Sequence, residues 1–122
     1  MNYELSVLKS FSAAHALREY KGKCENLHGH NWKIQATFTG NRLNGTGMLI
    51  DFTDIKAFLD EIIEKLDHHF LNETSPFDKI NPTAENIAAY IFTQLQQYET
   101  ETAKVSAVTV WESDVSSAKV SL

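Results

Sequence analysis

Residues 30–39 read HNWKIQATFT and alternate polar with apolar side chains. Side chains two residues apart on a strand point to the same face, so this stretch predicts a strand with one buried face. The apolar positions are Trp32, Ile34, Ala36 and Phe38. A similar alternation runs from Tyr3 to about Lys9 and predicts a first strand. Two half-buried strands indicate a sheet that is covered on one side.

The segments around these strands are polar and rich in glycine. Residues 16–29 are charged and predict a loop. Glycines and asparagines between Gly40 and Gly47 predict a hairpin connection. Met48–Phe52 would then return as a short third strand.

A first helix is predicted next. Apolar residues recur at steps of three and four from Ile55 to Leu66, which builds one stripe. Thr53 is the predicted N-cap, and Asp54 suits the positive end of the helix dipole. We expect the helix to end near Asp67-His68.

A second helix is expected to open at Pro82-Thr83, with Thr83 as N-cap and Glu85 in the first turn. Its predicted buried face is Ile87, Ala88, Ile91 and Leu95. After Thr102 the period returns to two, and a last strand is predicted from about Ala118 to Leu122. The order strands, helix, helix, strands predicts an α+β fold with an antiparallel sheet and both helices on one face.

Composition limits the possible functions. The 122 residues suit one domain, 1–122, with one core. The formal net charge of −5 makes nucleic acid an unexpected partner. A single cysteine, no signal-peptide pattern and no apolar run long enough to cross a bilayer favour a cytoplasmic protein without a membrane partner.

The histidines carry the clearest chemical signal. His28 and His30 are two apart, so on a strand both imidazoles can converge on one ion. His15 ends the first strand and can supply a third ligand from a neighbouring strand. Three imidazoles with an open fourth position are typical of catalytic zinc. The alternative, that these are unrelated histidines on the surface, fits their clustering in the sequence poorly.

Cys24 lies four residues before His28. It could close the metal site as a fourth ligand, or it could stay free as a reactive thiolate, which we favour. A lone cysteine is more often a small buried apolar residue.

Two acidic positions complete the candidate set. Asp67 beside His68 can orient the imidazole and raise its basicity, although both residues could simply end the helix. Glu112, at a strand end, could accept two parallel N–H bonds from a pterin or guanine edge. On its own, such a glutamate is usually just solvated.

Together these residues resemble the family of 6-pyruvoyltetrahydropterin and 6-carboxy-5,6,7,8-tetrahydropterin synthases. The resemblance covers almost the whole chain. Its motifs are Phe11-x-Ala13-Ala14-His15, Cys24-x-x-x-His28-Gly29-His30-Asn31, Asp51-Phe52, Leu66-Asp67-His68-His69-x-Leu71-Asn72, Asn81-Pro82-Thr83-x-Glu85-Asn86 and Glu112. The three-residue gap between Cys24 and His28 resembles the carboxy-forming branch of queuosine biosynthesis.

The resemblance implies a tunnelling fold (T-fold) with a four-stranded antiparallel sheet and two helices. It also implies a homohexamer, a dimer of trimers, with active sites between subunits. The implied metal is Zn²⁺, held by His15, His28 and His30. Cys24 would meet Asp67 and His68 from a neighbouring subunit.

The implied substrate is a pterin triphosphate, 7,8-dihydroneopterin triphosphate. The implied products are 6-carboxy-5,6,7,8-tetrahydropterin, acetaldehyde and triphosphate. Cys24, Asp67 and His68 would move protons, Glu112 would anchor the pterin ring, and Thr83 and Glu85 would assist. The alternatives are a pyruvoyl-forming synthase and an inactive pterin- or metal-binding relative. Glu25 beside Cys24 and the segment 113–117 depart from the common pattern and leave the product open.

Overall fold

The fold is built on one antiparallel sheet. A computed structural model describes residues 1–22 and 26–122. The strands are β1 (Tyr3–His15), β2 (His28–Gly40), β3 (Lys104–Ser113) and β4 (Ser116–Ser121), in the order β1-β2-β3-β4. The predicted α+β class and four-stranded antiparallel sheet are confirmed.

Two helices cover one face of the sheet. They are α1 (Phe52–Glu64) and α2 (Ala84–Gln96), with a short 3-10 turn at Leu71–Glu73 between them. The predicted apolar face of β2 lies fully in the core beneath the helices, and so does the predicted stripe of α2. Within the described residues, neither helix is long and apolar enough to cross a membrane.

The prediction of a third strand at Met48–Phe52 is wrong. Turns follow β2, and Phe52 already begins α1. The second neighbour of β2 is β3, far along the chain, so the predicted hairpin after Gly40 does not form. Asp51, not Thr53, is the N-cap, because its carboxylate accepts hydrogen bonds from both the backbone N and the hydroxyl of Thr53.

The end of β1 and the start of β2 extend further than predicted, and this extension places the histidines side by side. Residues 28 and 29, predicted as loop, belong to β2, because β1 extends to His15 and pairs with them. His15 lies opposite His28, and Ala13 lies opposite His30. Side chains at these four positions share the face that the helices cover.

Helix α1 ends earlier than predicted, at Glu64, and residues 65–70 turn back along the free edge of β1. The backbone N of His68 donates to Ser12 O over 2.6 Å, and Phe70 bridges to Ala14 in parallel. For α2 the predicted N-cap Thr83 is confirmed, since its hydroxyl accepts from Asn86 N. The last strand lies about two residues before its predicted position.

Candidate metal centre

Three imidazoles and one carboxylate meet at one end of the sheet. His15, His28, His30 and Glu112 each offer one ligand atom, and these atoms all lie within 4.8 Å of one another. His15 comes from the end of β1, His28 and His30 from the start of β2, and Glu112 from the end of β3. The predicted convergence of the histidines is therefore observed in the structure.

The hydrogen bonds of two rings define which nitrogen carries the proton. His15 Nδ1 lies 2.7 Å from Pro82 O, and His28 Nδ1 lies 2.9 Å from Asn26 O. A carbonyl oxygen can only accept, so each Nδ1 donates its hydrogen there, and each Nε2 is directed toward the other histidine. These two Nε2 atoms are 3.0 Å apart. A metal ion bound to both nitrogens would satisfy this close approach.

A tryptophan supports the imidazoles from below. Trp32 is fully buried, and its Nε1 donates to Ala13 O over 3.2 Å. Its ring meets the rings of His15 and His30 edge-on, at centroid distances of 4.9 and 5.2 Å. His15 itself is only 1% exposed. Packing of this kind fixes the ring orientations before any ligand arrives.

Glu112 lies close to the histidines. Its Oε1 is 3.4 Å from His30 Nε2, and its side chain is 39% exposed. A carboxylate at this position can accept an N–H bond, join a metal, or reach a ligand in the opening above the histidines.

Asp67 and His68 are held at the outer edge of β1. Asp67 Oδ1 accepts from Ser12 N over 2.9 Å, and its Oδ2 lies 3.6 Å from His68 Nε2. The His68 side chain is 81% exposed and its backbone has a φ of 58°. Because residues 67–70 pair with the strand edge, the His68 imidazole projects into solvent beside β1.

A cleft of about 520 Å³ runs along the same strand ends, with Ser12, Asn31 and His68 among its lining residues. Its size lies within the range of small-molecule sites. Ser12 and Asn31 alternate with the histidine positions on their strands, and their side chains are joined by a 2.7 Å hydrogen bond. The cleft therefore opens mainly on the face of the sheet that the helices leave uncovered.

Thr83 and Glu85 lie at the start of α2. The Thr83 hydroxyl is engaged as the helix cap, and Glu85 is exposed in the first turn. The neighbouring Pro82 carbonyl, not either side chain, contacts the metal-site histidine His15.

Cys24 and Glu25 lie outside the described residues. The role of Cys24 thus stays a prediction. The carbonyls of Asn26 and Pro82, which fix two histidine tautomers, were not predicted. A backbone carbonyl leaves no signature of its own in a sequence, and only the Asn81-Pro82-Thr83 motif marks one of them.

Comparison with known proteins agrees with this architecture. Residues 4–121 match the model of the 6-pyruvoyl tetrahydropterin synthase family. A 6-carboxy-5,6,7,8-tetrahydropterin synthase of Synechocystis is 41% identical over 93 residues, covering 72% of this chain and 70% of the relative. One of Haemophilus influenzae is 32% identical over 136 residues, covering 93% and 95%. The human 6-pyruvoyl tetrahydrobiopterin synthase is 37% identical over 102 residues, covering 72% and 70%.

Solved structures show the same fold. The 6-pyruvoyl tetrahydropterin synthase of Caenorhabditis elegans superposes with a TM-score of 0.87 at 26% identity, covering 100% of this chain and 96% of that one. The Plasmodium vivax enzyme gives a TM-score of 0.79 at 27% identity, covering 98% and 97%. The sheet and helices described above are thus the T-fold of the pterin synthases. The chain belongs to the 6-pyruvoyl tetrahydropterin synthase family.

Proposed function

We propose that the chain is a zinc-dependent 6-carboxy-5,6,7,8-tetrahydropterin synthase. It converts 7,8-dihydroneopterin triphosphate and water to 6-carboxy-5,6,7,8-tetrahydropterin, acetaldehyde and triphosphate. In this proposal the enzyme serves queuosine (7-deazaguanine) biosynthesis in the cytoplasm. The carboxy-forming name belongs to relatives at 41% and 32% identity, the second of which matches over almost the full chain.

The observation that carries the proposal is the 3.0 Å approach of His15 Nε2 to His28 Nε2, with His30 beside them. Neutral imidazole is a preferred ligand of zinc, and three of them leave one position for water or substrate. The donor set therefore fits the metal. When bound, zinc supplies Lewis-acid polarisation of the oxygens on the substrate side chain.

The remaining polar groups have distinct tasks in this proposal. Cys24, as thiolate, takes or returns a proton at the substrate side chain. Asp67 and His68 relay that proton, with Asp67 held in place by Ser12 N. Glu112 accepts paired N–H bonds from the pterin ring. Thr83 and Glu85 assist at the ring edge.

The catalytic site is completed by a neighbouring subunit. The imidazoles lie on the helix-covered face, whereas Asp67 and His68 border the uncovered face at the edge of β1. An exposed imidazole at a strand edge can serve the site of the next chain, because strand edges are natural pairing surfaces. We therefore propose a homohexamer in which Asp67 and His68 act on the substrate held by a neighbour's histidines.

The second candidate is formation of the pyruvoyl product. It is favoured by the human relative at 37% identity and by the names of the C. elegans and P. vivax structures. The two reactions differ in whether the side chain loses two carbons.

One experiment separates the candidates. The zinc-loaded protein and Cys24→Ala are each incubated with 7,8-dihydroneopterin triphosphate, and acetaldehyde and the pterin product are quantified. Acetaldehyde with a 6-carboxy product, both lost in Cys24→Ala, supports the proposal. A pyruvoyl product without acetaldehyde selects the second candidate. No turnover by a zinc-loaded protein would contradict both and indicate an inactive binding relative.

A further inference from the structure

Two asparagine side chains hold the backbone that follows His15. Asn72 Oδ1 accepts from Ala16 N over 2.9 Å, and its Nδ2 donates to Ala16 O over 2.7 Å. Asn81 does the same to Arg18, with Oδ1 accepting from the backbone N over 2.8 Å and Nδ2 donating to the carbonyl over 3.2 Å. Each side-chain amide thus satisfies one backbone N–H and one backbone carbonyl in the segment after β1, as a neighbouring strand would.

Asn81 also lies next in the chain to a carbonyl that contacts a metal-site histidine. Asn81 precedes Pro82, whose carbonyl lies 2.7 Å from His15 Nδ1. The Asn81 carbonyl accepts from Asn86 Nδ2 and from Thr83 N, both over 2.8 Å. The buried Pro82 is therefore fixed on both sides and by its own restricted φ.

The Arg18 guanidinium reinforces this arrangement. Its Nη2 donates to Phe77 O over 2.6 Å and to Asn72 O over 3.0 Å, and its Nη1 donates to Ile80 O over 3.1 Å. Three carbonyls from residues 72–80 are thus gathered around one cation. The segment that leads to Pro82 is consequently tied to the segment that leaves His15.

We propose that Asn81 is a positioning residue for the metal ligand His15. By clamping Arg18 it holds the Pro82 carbonyl against His15 Nδ1. That contact keeps the hydrogen on Nδ1 and turns the Nε2 lone pair toward His28 and the metal. The inference rests on the metal site of the proposed function. It adds a residue that acts on the metal ligand through the carbonyl of its neighbour Pro82.

The test compares Asn81→Ala with the matched control Asn72→Ala. Both variants lose an equivalent pair of side-chain hydrogen bonds to the backbone that follows His15, but only Asn81 precedes the carbonyl that contacts His15. Two quantities are measured: zinc affinity, by competition with a chelator, and the ring ¹⁵N chemical shifts of His15 in the metal-free protein. The His15 signals are assigned from their absence in His15→Gln.

Asn81→Ala should bind zinc about tenfold more weakly, at the lower end of what loss of an outer-sphere contact costs. Its His15 shifts should move toward a mixture of tautomers. Asn72→Ala should lower the unfolding midpoint but keep the affinity and shifts of the wild type. If Asn81→Ala does not fold, Asn81→Asp retains the Oδ1 acceptor, loses the Nδ2 donor and should change both quantities in the same direction.

Wild-type zinc affinity and wild-type His15 shifts in a folded Asn81 variant would overturn the inference and leave the proposed metal site intact. Equal losses in the Asn72 and Asn81 variants would also overturn it, because they would show that loosening the backbone after His15 is sufficient without the Pro82 carbonyl. A wild-type protein that binds no zinc would contradict the proposed function itself.

Discussion

His15 and His28 face each other through their Nε2 atoms at 3.0 Å, and each ring has its Nδ1 hydrogen committed to a backbone carbonyl. In a tetrahedral zinc site with ordinary Zn–N distances, neighbouring nitrogens lie about 3.3 Å apart. The strands, the carbonyls and Trp32 have thus brought two ring nitrogens close to the separation found at a metal. Ligand atoms held together in this way by packing and by backbone contacts are typical of a prepared binding site.

Zinc should therefore stabilise the fold. A ligand present at 100 times its dissociation constant adds about 2.7 kcal/mol to the free energy of unfolding, provided that it binds only the folded state. We expect thermal unfolding of the metal-free protein to shift upward on addition of Zn²⁺. Mg²⁺ at the same concentration is the control, because it prefers oxygen ligands and should leave the midpoint unchanged. An equal response to both ions would point to a nonspecific effect of charge.

Thr83→Ala should destabilise the protein by about 1 kcal/mol, because the hydroxyl that caps α2 at Asn86 N is lost. Thr83→Ser keeps this acceptor and should retain most of the stability. Urea unfolding of the three proteins measures the difference. The same variants test the proposed assisting role, since a KM for the pterin that rises in both Thr83→Ala and Thr83→Ser would indicate contact through the methyl group or the shape of the side chain rather than through the cap.

Local sequence patterns predicted the strands and helices that bury one regular apolar face. The alternation from Trp32 to Phe38 and the spacing from Ile87 to Leu95 describe faces that the structure does bury. The Met48–Phe52 prediction failed because the chain bends at residues 49–50 and Asp51 caps α1, two residues before the predicted Thr53 cap. Competition between two neighbouring capping residues is decided by the path of the chain, which the pattern does not contain.

The parts of the site that depend on the spacing of residues along one strand could be predicted. The parts that depend on contacts between residues far apart in the sequence could not. His28 and His30 were expected on one face, and His15 on an adjacent strand. The approach of Glu112 to His30 depends on β3 pairing with β2, a contact between residues far apart in the sequence. The contact of the Pro82 carbonyl with His15 joins residues 67 positions apart, so no local pattern could predict it.

Lowering the pH should remove the contribution of the Asp51 carboxylate to the stability of the fold. Hydrogen bonds from the backbone and the side chain of Thr53 lower the pKa of this carboxyl below its ordinary value. A carboxyl whose pKa is lower in the folded state stabilises the fold above its unfolded pKa and loses that effect as the pH falls through the folded value. Asp51→Ala should therefore be less stable than the wild type at neutral pH, with the gap closing below about pH 4.

Urea unfolding across this pH range checks the Asp51 prediction. Asp114→Ala is the control, because Asp114 lies exposed in the turn between β3 and β4. Its difference from the wild type should not depend on pH in the same way. A gap for Asp51→Ala that widens as the pH falls would contradict the assignment of the charged carboxylate as the cap.

Asp67→Asn separates the structural from the chemical role of Asp67. The amide oxygen can still accept from Ser12 N, so stability should change little. Turnover should fall about 10²- to 10⁴-fold, as for loss of a group that takes part in proton transfer. Asp67→Ala should lose both stability and turnover. If Asp67→Asn turns over at the wild-type rate, Asp67 only anchors the chain to β1.

Mixing two inactive variants tests whether active sites are shared between subunits. Cys24→Ala and Asp67→Asn each lack one part of the proposed proton path. When the two are unfolded together and refolded, mixed oligomers should contain some sites with an intact cysteine and an intact neighbouring Asp67, and activity should return. Mixing after separate folding is the control. No recovery from co-refolding would place both residues in the site of one chain.

The metal content of the purified protein tests the central claim most directly. Elemental analysis should find one zinc ion per chain in the wild type and in His69→Ala, whose imidazole contacts only the Asp67 carbonyl among the described hydrogen bonds. His28→Ala, which removes one of the two facing nitrogens, should lose most of the zinc. A His28→Ala protein that retains the zinc of the wild type would contradict a metal centre formed by His15, His28 and His30.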